Sequence, residues 1–489
     1  MKRVLAFRDV LRTFAKKLRF PHYCLIFFLL IALLLRIDAA RSPNIVHPDE
    51  IFQTQEPAHR LAYGYGVVTW EWREGIRSWV FPAFLAGVMR ATTWLGRGSS
   101  GYVWGIAIVL SLISLTTVWF GFSWAKRASG VDAAIIAAGA CATWYGLVDF
   151  APCALTEVVA AHALLPGLYF GIYGDRLRES KRMFLAALFC GLAVSLRIQL
   201  APAVAFAVVY FCYPNWRKRF LPLAAGFLLP VLAFGLVDAF TWSYPFQSFF
   251  RYFWVNAIEG RSALYGTQPW FWYLLVLAVQ MLPLVILSLF GVGRCPFLGW
   301  IVLIILASHS MISHKEVRFI YPVMPLVVTL AGVGIVEIAN DFNESFKNPV
   351  LAPKVIVGTG LVLCGLLSYW LAPRFPYWQK DSGGVAAFGQ LSKNPGICGV
   401  GLYEVPWFET GGYTYLHQNV PIVLIPGPKE FDKEASNFNA VIAEETLPIL
   451  RNDFVLSDCW SGVCLYERPG ACTHSSENDI NTVLRRTGN

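Results

Sequence analysis

A chain whose apolar residues arrive in long uninterrupted runs has few choices of fold. Stretches near residues 21–37, 102–124, 131–147, 157–173, 183–196, 198–212, 220–241, 270–293, 298–313, 319–340 and 355–373 carry almost no charge. A helix crossing a hydrocarbon core roughly 30 Å thick needs about 20 such residues, and it satisfies its own backbone there. The composition agrees, with 56% of residues hydrophobic and only 15% charged, against about 25% charged in soluble domains. The expectation is an all-α polytopic membrane protein with about 11 transmembrane helices. The pieces on either side of Arg197 are short, as broken or tilted helices would be. Residues 78–95 are apolar but hold Pro82 and Arg90, and read as a helix lying in the membrane surface. The first run follows a basic segment, residues 1–20, and ends in charged sequence without a small-residue cleavage site. It therefore reads as a retained span rather than a signal peptide.

The net charge of +9 sits mostly in short loops. Basic clusters at 125–127, 175–182, 215–219 and around Lys354 fall on one side, the cytoplasmic side by the positive-inside rule. Loops 39–101, 148–156, the turn at Arg197, 242–269 and 314–318 then face outward. The sequon Asn343-Glu344-Ser345 lands inside and so says nothing about glycosylation. No basic stripe with interleaved aromatics exists on a soluble domain, which argues against nucleic acid as a partner.

Residues 374–489 change character. "GGVAAFGQL", the strand-like "VPIVLI" at 420–425 and the turn signal "PGPKE" predict a small α/β domain on the outer face. Cys398, Cys459, Cys464 and Cys472 lie there. In an oxidising compartment Cys459 with Cys464 is one candidate disulfide; free thiols in a small core are the alternative.

The outward loops collect ionisable residues, which cost a few kcal/mol each at membrane depth and so point to function. "HPDE" supplies His47, Asp49 and Glu50; "TWEWREGIRSW" supplies Trp70, Glu71, Trp72, Arg77 and Trp79. Glu157 opens a span, Arg197 interrupts another, and "SHKEVRFIYP" contributes His314, Lys315, Glu316, Arg318 and Tyr321. Pro48 suits a first helical position, which places Asp49 and Glu50 in the first turn, where the helix dipole favours ionised carboxylates. Neighbouring helical residues point about 100° apart, so one of the pair is read as a base and the other positions substrate or holds the loop. A plain stabilising role at the helix start is the alternative. A helical turn over 314–318 would converge His314, Lys315 and Arg318 on a phosphate at headgroup level. The aromatic faces of Trp70, Trp72 and Trp79 suit sugar rings or an interfacial belt. The sequence lacks a His-Glu-x-x-His, a Cys-x-x-Cys pair, a Walker loop and an outward Asp-x-Asp. No metal site and no obligatory metal or other cofactor is expected.

"HPDE", "YGYGVVTWEWREGIRSWVFP" and "HKEVRFIYPVMPL" together resemble glycosyltransferase family 22, over roughly residues 20 to 375. This family comprises dolichyl- or polyprenyl-phosphate-mannose-dependent mannosyltransferases with a GT-C fold. The motifs are most like those of its GPI-mannosyltransferase branch, whereas "GGYTYLHQNVP" and "CWSGVCLYERPG" look more like bacterial relatives. The resemblance implies inverting transfer of mannose from a polyprenyl phosphate to a glycan or glycolipid hydroxyl on the outer or lumenal face. It implies Asp49 as the base with Glu50 in support. His314, Lys315, Arg318 and Arg197 would contact the donor phosphate, with Glu316 orienting them. Trp70, Glu71 and Arg77 would shape the sugar or acceptor site, with His47, Glu157 and Tyr321 in support. The membrane would be that of the endoplasmic reticulum in a eukaryote or the inner membrane in a bacterium. Two other readings stand beside it: a GT-C transferase of another sugar in envelope modification, and a lipid or sugar flippase. The flippase needs charges deep in facing spans and internal symmetry, and neither is visible.

Overall fold

The structure, a computed structural model, describes residues 20–41, 47–346, 353–371, 383–446, 453–473 and 476–488. The basic segment before residue 20 and the junction near 374 lie outside them. Each apolar run read from the sequence forms helix. Phe20–Ala39 and Trp216–Thr241 are single helices, Trp272–Val292 is kinked at Met281, and Val317–Asp341 and Ser100–Thr143 are composite. These five stretches are long and apolar enough to cross a membrane, and the chain is an integral membrane protein. Thr156–Ile172, Glu179–Leu196, Ala201–Cys212, Pro296–Ser310 and Pro353–Leu371 complete the bundle.

The composite 100–143 stretch reverses at Ser129 and Gly130, where Gly130 takes φ +87°. A Cβ at Gly121 would come within 2.9 Å of Cys141 Sγ, so the two halves lie against each other. The alanine-rich face 133–142 allows this closeness, and Gly332 on the helix Met324–Phe346 packs against Ala137 of the same face, because small residues let helix backbones approach in lipid. The large side chains point the other way. Phe220, Leu221, Leu229, Leu232, Leu236 and Phe240 on one helix are all exposed, as a lipid solvent permits. Residues Val80–Thr92 form a 13-residue helix packed on Glu56–Tyr63 and Ser100–Ser114, short enough for the surface placement expected of it. The chain breaks at Arg197, which is extended (φ −146°, ψ 95°) between two helices.

Residues 383–488 carry a five-stranded sheet of order β2-β1-β3-β5-β4. The strands are β1 Val400–Tyr403, β2 Ile422–Ile425, β3 Ala440–Glu444, β4 Val455–Trp460 and β5 Val463–Glu467. β1 pairs in parallel with β2 and β3, and the β4–β5 hairpin adds antiparallel strands. Two disulfides close the domain: Cys459–Cys464 across the hairpin, and Cys398–Cys472, which the sequence spacing does not suggest.

Candidate active site

Pro48 opens a helical segment that continues through a π-helical turn, Glu50–Gln55, into the helix Glu56–Tyr63. Such wide turns re-aim side chains and recur at functional sites. Here the turn sets Asp49 on the wall of a cavity of about 1200 Å³. The same cavity is lined by His47, Gln53, Trp70, Glu71, Arg77, Arg197 and the segment 311–319.

The segment that carries "HKEVR" is not a helical turn. Glu316 is extended (φ −132°, ψ 152°), and a 3-10 helix begins only at Val317. The physical reason lies in its charges: His314 and Arg318 both turn to Glu316 within the segment, while Arg318 and Lys315 also reach partners outside it. Arg318 binds three carboxylates, with Asp49 Oδ2 at 2.5 Å, Glu316 Oε2 at 2.6 Å and Glu157 Oε1 at 2.7 Å. Glu157 also receives Arg197 at 3.0 Å. His314 Nε2 meets Glu316 Oε1 at 2.8 Å, and His47 Nε2 meets Glu316 Oε2 at 2.9 Å. Lys315 Nζ donates instead to the backbone carbonyls of Gln268, at 2.9 Å, and Ile312.

This network sets the protonation states. Burial alone would push the Glu316 carboxyl up, but Arg318 and the hydrogen bonds from His314 and His47 hold it far below the usual carboxylate range. The Glu316 hydrogen bond raises His314 against desolvation. Burial lowers Lys315. Glu71 accepts from Arg77 at 2.7 Å and from Gln53 Nε2 at 3.0 Å. Burial nevertheless raises its carboxyl, opposed by Arg77 and assisted by Asp49.

The cations divide by what they have left to give. Arg318 commits all three guanidinium nitrogens to carboxylates. Arg197 and Arg77 each keep an Nε without a hydrogen-bond partner, and both line the cavity. Of the three tryptophans only Trp70 lines it, with Arg261 over its ring at 4.0 Å. Trp72 is tied to Phe52 O and packs on Trp79, and those two build the loop. Tyr321 is fully buried beside Phe150 and His162, away from the cavity lining. Glu157 is 1% exposed and acts through Arg318 and Arg197.

His47, Asp49 and Glu316 each bring a ligand atom within 4.8 Å of the others, the spacing of a metal trio. The Arg318 guanidinium already bridges Asp49 and Glu316, and His47 is bound to Glu316. An ion there would have to displace that guanidinium.

The sequence pattern does not single out Gln53, Tyr252, Asn256, Gln268, Trp407 or Phe408, all on the cavity wall. Trp407 and Phe408 come from the C-terminal domain, and Trp407 meets Phe52 edge-on at 4.7 Å. The aromatic pair in "VPWFET" is the one signal of this in the sequence.

Comparison with known proteins places the family and the fold. GPI mannosyltransferase 3 of Yarrowia lipolytica is 27% identical over 404 residues, covering 79% of this chain and 74% of that protein. GPI alpha-1,2-mannosyltransferase 3 of Mus musculus is 30% identical over 311 residues, covering 60% and 55%. The chain thus spans little more than half the length of the mouse relative. In fold it is similar to ArnT from Cupriavidus metallidurans, solved with undecaprenyl phosphate, at TM-score 0.60 and 14% identity over 90% of this chain and 97% of that one. At that identity the likeness is one of fold. The model of the Alg9-like mannosyltransferase family matches residues 26–373, and the chain belongs to that family.

Proposed function

We propose that the protein transfers mannose from a polyprenyl-phosphate mannose to a hydroxyl of a glycan or glycolipid, with inversion, on the outer or lumenal face of its membrane. The observation that carries this reading is the position of Asp49. Its carboxylate lies on the wall of the large cavity, oriented by Arg318, with cations around the same space. In-line displacement needs a base on one face of the sugar and a stabilised leaving group on the other. Asp49 takes the acceptor proton. Arg197 and Arg77, with Lys315 and His314 on the same cavity wall, bring positive charge to the departing phosphate. Arg318 and Glu316 hold the base and the histidines in place. Trp70 gives a flat face for a sugar ring.

Arg318 already provides the positive charge between Asp49 and Glu316, which supports phosphate departure without an obligatory metal. With Ser100–Thr143 counted as two helices across its reversal, the bundle supports eleven spans with the N-terminus inside and the α/β domain outside, and the two disulfides fit an oxidising outer compartment. That compartment is the endoplasmic reticulum lumen or the periplasm.

The test is transfer of labelled mannose from a synthetic polyprenyl-phosphate mannose by purified protein in the presence of chelator. Asp49→Asn, with unfolding unchanged, is expected to lower turnover about 10²–10⁴-fold. Full turnover by this variant, or use of a nucleotide sugar alone, overturns the mechanism. Loss of turnover in chelator overturns the metal-independent reading.

A further inference from the structure

Two polar side chains on the wall of the large cavity, His309 and Gln199, take no part in the proton and phosphate chemistry. His309 lies in the last turn of the helix Pro296–Ser310 and is 1% exposed. Its Nδ1 is 2.8 Å from the carbonyl of Ile305, one turn back on the same helix, so the ring proton sits on Nδ1 and is donated there. The neutral ring then holds a lone pair on Nε2, at the opposite edge and turned away from the helix backbone. That Nε2 has no hydrogen-bond partner among the described residues. Gln199 repeats the arrangement. Its Nε2 donates to Tyr252 Oη, and its Oε1 has no partner among the described residues. The helix that carries His309 packs on the short turn Ile198–Leu200 that carries Gln199, so the two acceptors share one stretch of wall.

A buried acceptor without a donor is unfavourable until a donor arrives. A phosphodiester brings acceptor oxygens only, and so cannot be that donor. A sugar hydroxyl brings the hydrogen. The carboxylates of the wall are already engaged, Asp49 and Glu316 by Arg318 and Glu71 by Arg77. Arg197, two residues before Gln199, stands at the phosphate in the mannosyl-transfer reading. The sugar bonded to that phosphate lies next to it. We propose that His309 Nε2 and Gln199 Oε1 accept hydrogen bonds from hydroxyls of the donor sugar, which makes these two residues determinants of the sugar that is taken. The inference rests on the mannosyl-transfer reading and adds the groups that recognise the donor. A site that hydrogen-bonds a hydroxyl rejects the analogue that lacks it, because its own acceptor is left unpaired. The lipid phosphate left after transfer carries no sugar and loses both contacts, which favours its release.

The experiment separates the sugar from the lipid that carries it. Full-length protein in nanodiscs is titrated with a synthetic polyprenyl-phosphate mannose, with its monodeoxy analogues and with the bare polyprenyl phosphate. Quenching of tryptophan emission reports binding. His309→Phe keeps a ring and removes the acceptor; it is expected to weaken the mannosyl lipid about tenfold and leave the bare lipid unchanged. One monodeoxy donor should show the same loss on the wild-type protein and no further loss on the variant. His309→Gln, which restores an acceptor oxygen, should recover part of the affinity. Gln199→Leu, at a half-buried position, should repeat the pattern with a second hydroxyl. In the transfer assay KM should rise in these variants while kcat holds. A loss shared by the bare lipid overturns the proposal, as does an unchanged Kd in both His309→Phe and Gln199→Leu. If the wild-type protein binds neither lipid, the mannosyl-transfer reading falls first and this inference falls with it.

Discussion

Arg318 is surrounded by three carboxylates and is itself almost fully buried, so removing it strands negative charge where water cannot reach. Breaking a buried ion pair by deleting one partner costs about 3–5 kcal/mol. Arg318→Met is therefore expected to lower the unfolding temperature sharply as well as turnover. Arg318→Lys, which keeps charge but not the planar fork, should retain more stability than turnover. Thermal unfolding set beside the transfer assay distinguishes the two losses.

His314 gives a pH dependence of definite sign. Its pKa is raised above the ordinary 6.5 by Glu316. The protonated pair thus stabilises the 311–316 segment below the ordinary imidazole range and is lost as pH rises through the raised value. Unfolding followed against pH should show that loss, and His314→Asn should abolish it. The acidic pair and the "HKEVR" cluster were both legible in the sequence as outward charges. Their pairing was not, because Asp49 and Arg318 are 269 residues apart and nothing local records which cation meets which carboxylate. Arg36 shows the same limit. It sits inside the first helix, and its guanidinium donates to Ser114, Thr117 and the carbonyls of Cys141 and Ala142. In sequence it looks like the charge that ends a span.

At the scale of elements, apolar runs announce helices because lipid leaves the backbone no alternative. Their breaks are harder to read. The break at Arg197 was visible as a charge in apolar sequence, whereas the π-helical turn Glu50–Gln55 leaves no mark on composition. That turn is held by Glu56 directly after it. The fully buried Glu56 carboxylate accepts from Val67 N at 2.7 Å, Tyr413 N at 2.9 Å, Thr414 N at 2.8 Å and Thr414 Oγ1 at 2.7 Å. Gly412, at φ +58°, passes so close that a Cβ would lie 2.9 Å from the carboxylate. Glu56→Gln presents an amide N–H to donors and leaves them unmatched, at a cost of about 1–3 kcal/mol per lost partner. Faster hydrogen exchange at residues 412–416, with Asp49 intact in sequence but slower in turnover, is the expected outcome.

For the whole molecule, the C-terminal α/β domain is a wall of the site rather than an appendage. Glu56 ties it to the segment that carries Asp49, and Trp407 and Phe408 close the large cavity. The sequence showed an α/β composition there and a strand at 420–425, but not the contact with the loop, since burial between distant segments has no periodicity of its own. The Cys398–Cys472 bridge closes a span of 74 residues. Removing a constraint of that length from the unfolded chain costs about 4 kcal/mol in the loop-entropy account. Cys398→Ser with Cys472→Ser should therefore unfold the domain at lower denaturant and open the cavity to solvent, read as a red shift in tryptophan emission.

The shared wall also sets an order of events during synthesis. Asp49 leaves the ribosome well before Trp407, by roughly 360 residues, or some tens of seconds at about 5–20 residues per second. During that interval the nascent chain holds its acidic loop beside an unwalled basin. A later segment thus finishes an earlier one, and a chain halted before residue 407 would be anchored in its bilayer yet unable to enclose a substrate.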